Sequence, residues 1–150
     1  MVQVIAERLM SNANLNRVWE IAINVVDYPT FMDQVVNVEI EDSGKERRCT
    51  SWTVLLNGNE MSWTEISLYD EKTHRMTFEQ IDGDLAEWKG FFEVTEQLDG
   101  ILARYQIEFD LGIPALADEL HPLGESAIMA NCTQMLEQME IRSKCHNIVK

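Results

Sequence analysis

Residues 50–65 read Thr50-Ser51-Trp52-Thr53-Val54-Leu55-Leu56-Asn57-Gly58-Asn59-Glu60-Met61-Ser62-Trp63-Thr64-Glu65. Two runs rich in aromatic and β-branched residues flank an Asn-Gly pair. Such a pair readily takes the positive φ angles of a two-residue hairpin turn. The turn pairs Leu56 with Asn59, Val54 with Met61, Trp52 with Trp63 and Thr50 with Glu65. Residues paired across an antiparallel ladder share a face. Trp52, Val54, Met61, Trp63, Glu65 and Ser67 therefore lie together, with a carboxyl group among indole rings.

Outward from this hairpin the same punctuation repeats. Strand-like runs at about 35–41, 47–56, 60–69, 75–81, 86–97 and 101–110 are separated by Ser43-Gly44, Asn57-Gly58, 70–73, Asp82-Gly83 and Asp99-Gly100. Short runs joined by Asn-Gly and Asp-Gly turns make an antiparallel meander. A three-residue loop at 82–84 sets Phe78 opposite Trp88. A two-residue turn at Asp99-Gly100 sets Val94 opposite Tyr105, Phe92 opposite Ile107 and Gly90 opposite Phe109. Each assignment gathers large apolar side chains on one face.

Upstream, residues 2–8 alternate as a strand. Asn12 or Asn14 caps a helix over about 15–25, whose Leu15, Val18, Trp19, Ala22 and Val26 recur at helical spacing. Asp27-Tyr28-Pro29 ends it, since a residue before proline avoids the helical region, and a second short helix follows at about 30–34. Downstream, after a loop at Leu111-Gly112-Ile113-Pro114, Pro122 starts a helix reaching about Arg142. Its apolar stripe is Ile128, Cys132, Met135, Leu136 and Met139, with Met129 beside it.

The expected fold is α+β, within one domain over 1–150. A curved antiparallel sheet of about seven strands wraps a long C-terminal helix, with two short helices after the first strand. A bent, twisted sheet cannot cover its own concave face, so the amphipathic helix lies there. A cavity remains where helix and sheet part. Its expected lining is Tyr28 near the mouth, then Trp52, Trp63, Phe78, Trp88 and Phe92 from the sheet, and Met129, Cys132 and Met135 from the helix. Glu65, Ser67, Gln80 and the Tyr105 hydroxyl are the polar groups among them. Apolar walls with a few placed polar groups suit a small-molecule ligand. A solid core under a helix would account for each aromatic singly but accommodates Glu65 poorly, and the alternative is a register slipped by one residue, which turns Glu65 to solvent.

The net charge of −14 disfavours nucleic acid and anionic membrane surfaces as partners. It equally disfavours docking to an acidic acyl-carrier protein, although Lys45, Arg47 and Arg48 form a local basic stretch. No apolar run approaches the ~20 residues of a membrane helix. The N-terminus shows no basic region followed by an apolar stretch, so the expected location is the cytoplasm. Three cysteines at 49, 132 and 145 match no redox or zinc spacing. Three scattered histidines form no metal motif, so neither a metal nor an organic cofactor is expected. A homodimer stays open.

Val18-Trp19-Glu20, Asp27-Tyr28-Pro29-Thr30-Phe31 and Val35-Val36-Asn37-Val38 resemble the opening of the START-like, helix-grip superfamily. Trp52, Leu56-Asn57-Gly58, Trp63-Thr64-Glu65, Gly83-Asp84 and 88–94 (Trp-Lys-Gly-Phe-Phe-Glu-Val) resemble its polyketide cyclase/dehydrase branch, which includes coenzyme Q-binding proteins. The resemblance implies cofactor-free cyclisation or dehydration of a polyketide-like molecule, or non-catalytic carriage of a lipid or quinone. On the first alternative Glu65 is the acid/base, with Gln80 and Tyr105 orienting carbonyls. Some aromatase/cyclases of this branch carry an arginine four residues after the tryptophan that matches Trp63. Here Ser67 occupies that place.

Overall fold

The computed structural model describes residues 2–56, 58–110 and 117–145. Seven strands form one antiparallel sheet: β1 (Val2–Met10), β2 (Val35–Gly44), β3 (Arg47–Leu56), β4 (Asn59–Asp70), β5 (Arg75–Gly83), β6 (Glu87–Gln97) and β7 (Gly100–Asp110), in the spatial order β1-β7-β6-β5-β4-β3-β2. Helix α1 (Leu15–Ile23) and a 3-10 helix (Val25–Thr30) lie between β1 and β2, and α2 (Ala117–Cys145) follows β7. This is the helix-grip arrangement.

The Asn14 side chain accepts from the Arg17 N–H at 2.9 Å and opens α1. The helix ends at Ile23, two residues short of expectation, and the second short helix is a 3-10 turn over 25–30 rather than a piece over 30–34. Pro29 sits inside that turn. Its missing N–H is tolerated because a 3-10 turn this short leaves most donors unused.

The β3–β4 ladder pairs Leu56 with Asn59, Trp52 with Trp63 and Thr50 with Glu65, as the Asn-Gly turn requires; Asn57 itself lies outside the described residues. The other two hairpin registers are displaced by two residues. Phe78 faces Gly90, not Trp88, and Phe92 faces Tyr105, not Ile107. The β6–β7 turn is thus Leu98-Asp99, with Gly100 already in the strand at φ +148°. The 82–84 loop also moves, because β5 continues to Gly83 against Trp63. A displacement of two leaves every side chain on its expected face, since strands repeat every two residues.

The sheet bends at bulges. β2 carries register shifts between Val35 and Asn37 and between Ile40 and Asp42. β5 carries one opposite Thr64 and Glu65, with Ile81 as the extra residue. A bulge increases local twist and bends its strand.

The concave face holds the core, which includes Trp52, Trp63, Phe78, Phe92, Tyr105, Ile107 and Phe109. Helix α2 closes it with Ile128, Cys132, Leu136 and Met139, all buried. It begins at Ala117, upstream of Pro122, so the proline lies within the helix and does not start it. The loop expected at 111–114 lies outside the described residues. Arg8 of β1 donates to Glu140 of α2 at 2.6 Å, fastening helix to sheet edge. Among the described residues no helix is long and apolar enough to cross a membrane.

Candidate functional site

A cavity lies between the concave face and α2. Its walls include Trp52, Met61, Trp63, Glu65, Phe78, Trp88 and Tyr105 from the sheet, Tyr28 from the 3-10 helix, and Ile128, Asn131, Cys132 and Met135 from α2. It measures about 80 Å³. One water needs only about 10–15 Å³, so the space suits an organic molecule.

The indole rings form a continuous wall. Trp52 and Trp63 stack at 6.3 Å, Trp63 and Trp88 meet at 5.0 Å, and Phe78 lies 6.3 Å from Trp88. Offset and tilted contacts at these distances are the favoured aromatic geometries. Tyr28 leans its edge on Trp52 at 5.7 Å.

Glu65 stands in this wall with 4 % of its surface exposed. Neighbours two residues away on its own strand hold it. Trp63 Nε1–H donates to Oε1 at 2.7 Å, and Ser67 Oγ–H donates to Oε2 at 3.2 Å. Burial among apolar rings disfavours the carboxylate and outweighs those bonds, raising the carboxyl to about 7. The group is thus divided between its acid and its base form near neutrality, as suits proton transfer in both directions.

The other polar groups are largely committed. Tyr28 O–H donates to the Ala22 carbonyl. Burial raises the Tyr105 hydroxyl well above its ordinary range, and the neighbouring Tyr28 hydroxyl adds to the rise. Trp52 Nε1–H donates to Thr50 Oγ1 at 2.8 Å. Burial pushes the Cys132 thiol up to about 12, leaving it protonated. Asn131 Nδ2–H donates to the Leu55 carbonyl at 2.9 Å, and the Asn131 carbonyl accepts from Gln34 at 3.0 Å.

Tyr28, Trp52, Trp63, Glu65, Phe78, Trp88, Tyr105, Cys132 and Met135 thus meet in one cavity. Four expected site residues do not line it. Met129 is 39 % exposed and points away, because it lies one position past Ile128 and so about 100° around the helix. Phe92 is wholly buried against Tyr105 at 4.9 Å and supports the wall from behind. Gln80 donates to the Leu85 carbonyl at 2.7 Å and stabilises the β5–β6 connection. Ser67 reaches the site only through Glu65.

Asn131, Leu85 and Met76 are lining residues that the sequence reading passed over. Asn131 had a signal, since a polar residue three after Ile128 and four before Met135 falls on the apolar stripe. The basic stretch is also reassigned. The Arg48 guanidinium lies over Tyr69 at 4.7 Å and donates to the Ile23 carbonyl, and Arg47 pairs with Asp42 at 3.9 Å. Among the described residues no three His, Cys, Asp or Glu side chains converge as a metal site requires.

A family model described as polyketide cyclase / dehydrase and lipid transport matches residues 11–136. The chain belongs to that family. Its fold is shared by TTHA0849 from Thermus thermophilus, with 21% identity over 97% of this chain and 99% of the other and a TM-score of 0.89. It is shared by the ZhuI aromatase/cyclase from Streptomyces sp. R1128, with 15% identity, coverage of 95% and 93%, and a TM-score of 0.82. Ginseng major latex-like protein 151 from Panax ginseng is similar too, with 13% identity, coverage of 95% and 97%, and a TM-score of 0.77. A sequence comparison with curated proteins returned no match.

Proposed function

We propose that this protein binds an apolar, oxygenated small molecule in the cavity and catalyses its cofactor-free cyclisation or dehydration, on a polyketide-like chain, with Glu65 moving the proton. The observation that carries this reading is a buried carboxyl held by Trp63 and Ser67 in an otherwise apolar, aromatic cavity. The family's description supports it, as does the fold shared with an aromatase/cyclase.

In cyclisation, ionised Glu65 takes a proton from a carbon flanked by carbonyls. The enolate carbon bonds to a second carbonyl carbon, and the alkoxide formed there recovers the proton from Glu65. In dehydration, a proton again passes from carbon to Glu65. The C–O bond on the neighbouring carbon then breaks, and hydroxide leaves with that proton as water. The aromatic walls fold the chain so that the reacting carbons meet, and positioning of this kind can remove several kcal/mol of the barrier. Tyr105, at the cavity wall beside Tyr28, would orient a substrate oxygen.

The test is turnover of a synthetic poly-β-keto thioester, followed by mass spectrometry against the uncatalysed background. Glu65→Gln should abolish the enzyme-dependent product while the affinity for 2-acetylnaphthalene stays within about tenfold, or ~1.4 kcal/mol. Equal product from the variant would remove Glu65 from the mechanism. A carrier of a lipid or quinone is the second reading. It is favoured by the lining itself, where Met61, Met76 and Met135 give an adaptable apolar surface. A carrier would give no product above background with either protein.

A further inference from the structure

The hydrogen-bond donors of the cavity can be accounted for one by one. The N–H groups of Trp52 and Trp63 and the Tyr28 hydroxyl have protein acceptors. One of the two N–H groups of the Asn131 amide goes to the Leu55 carbonyl, at the rim where helix meets β3. The Tyr105 hydroxyl neighbours that of Tyr28. Trp88 is the exception. Its Nε1–H is buried and has no hydrogen-bond partner among the described residues. The indole is fixed between Trp63 and Phe78. Its N–H faces the Glu65 carboxyl closely enough to favour the carboxylate, but outside hydrogen-bond geometry. An unpartnered buried donor costs about 1–3 kcal/mol, a cost that a ligand oxygen seated there would remove.

Both carboxyl oxygens of Glu65 already accept a bond, from Trp63 and from Ser67. A proton on this group is therefore the second donor left for a guest. We infer that Trp88 and the acid form of Glu65 make a two-donor site for one uncharged carbonyl oxygen, so that the ligand is a neutral aryl or conjugated ketone and not a carboxylic acid. The inference rests on the reading that the cavity is the ligand site, and it deepens that reading. Once ionised Glu65 has taken the α-proton, the Trp88 N–H would also stabilise the negative charge left on that oxygen. Among the described residues the lining carries no Arg or Lys. A ligand carboxylate would meet Glu65 in a dry cavity with no countercharge, which is strongly unfavourable.

Three probes of one shape separate the possibilities: 2-acetylnaphthalene, 2-ethylnaphthalene and 2-naphthoate, titrated by calorimetry. The ketone should bind about tenfold tighter than the hydrocarbon, as two neutral hydrogen bonds allow, and the naphthoate more weakly than either. Trp88→Phe keeps the ring and removes the N–H. It should cut the ketone's advantage to about threefold or less while leaving 2-ethylnaphthalene binding unchanged.

The ketone's advantage should also fall as pH rises through about 7 and Glu65 loses its proton. Tyr28, Tyr69 and Tyr105 beside it, and Cys132 in the same cavity wall, are all raised by burial and stay protonated there, while the Arg48 guanidinium lies over the Tyr69 ring. If Trp88→Phe also weakens the hydrocarbon, the infrared carbonyl stretch of the ketone in the native protein decides the matter. A frequency below that in a hydrocarbon solvent supports the site, and an unshifted frequency overturns it. Equal binding of ketone and hydrocarbon, or an advantage untouched by Trp88→Phe in a protein that still binds the hydrocarbon, overturns the two-donor site and leaves the apolar cavity standing. Failure of all three probes to bind overturns both.

Discussion

Replacing Glu65 by glutamine should change how the protein's stability depends on pH, whatever the ligand. Burial raises the Glu65 carboxyl from 4.5 to about 7. The folded state keeps this proton where the unfolded chain releases it. Native stability is therefore greatest below about pH 4.5 as far as this group is concerned, and it declines as pH rises to about 7. The total is roughly 3 kcal/mol, from about 1.4 kcal/mol per pKa unit.

Glutamine has no such proton, can still accept from Trp63, and can donate to Ser67 after its hydroxyl turns. Glu140 works in the opposite sense. Its burial raises it less than Lys144 and Arg8 lower it. It is present in both proteins, so it cancels in the difference. Urea unfolding of native and variant proteins, followed by circular dichroism at several values between about pH 4 and pH 8, measures that difference. The variant should gain roughly 3 kcal/mol on the native protein across this range. Parallel stability curves would refute the claim that the carboxyl is desolvated.

Arg48→Met removes the guanidinium that donates to the Ile23 carbonyl and covers Tyr69. It should cost about 2 kcal/mol in urea unfolding, and a loss below about 0.5 kcal/mol would show that these contacts are idle. Gly83 has φ +151°, and an added Cβ would lie 2.4 Å from Trp63 Cβ. Gly83→Ala should therefore destabilise by about 2–3 kcal/mol and shift tryptophan emission, whereas unchanged emission would mean Trp63 is not displaced. Cys132, with its thiol raised to about 12 and its side chain buried, should resist iodoacetamide while the partly exposed Cys49 reacts. Peptide mapping that finds Cys132 alkylated first would contradict the closed cavity wall.

The Trp52–Trp63 hairpin was legible in full because Asn57-Gly58 admits one register. The hairpins at Asp82-Gly83 and Asp99-Gly100 were not, since a glycine at positive φ can stand in a turn or at the end of a strand. Gly83 and Gly100 do the latter. Alternation along the strands still gave the inner face, which is why Phe78, Trp88 and Tyr105 were found despite the wrong partners. Phe92 shows the limit of that reasoning, because a residue on the inner face can line the cavity or lie beneath it, and only packing decides. Gln80 shows another. The bulge at Ile81 and the bond to Leu85 that redirect its side chain leave no trace in periodicity.

The bonds that orient Glu65 come from Trp63 and Ser67, its neighbours on β4. The opposite wall is tied to the sheet by contacts remote from it, Asn131 to Leu55, Gln34 to Asn131 and Arg8 to Glu140. Admission of a guest and aim of the proton-bearing group are therefore mechanically independent. Neither bond to the carboxyl comes from α2, so a substitution on the helix changes the wall that a guest meets and leaves both bonds in place. Substitutions along the helix can then retune which guests enter while the reactive end keeps its alignment.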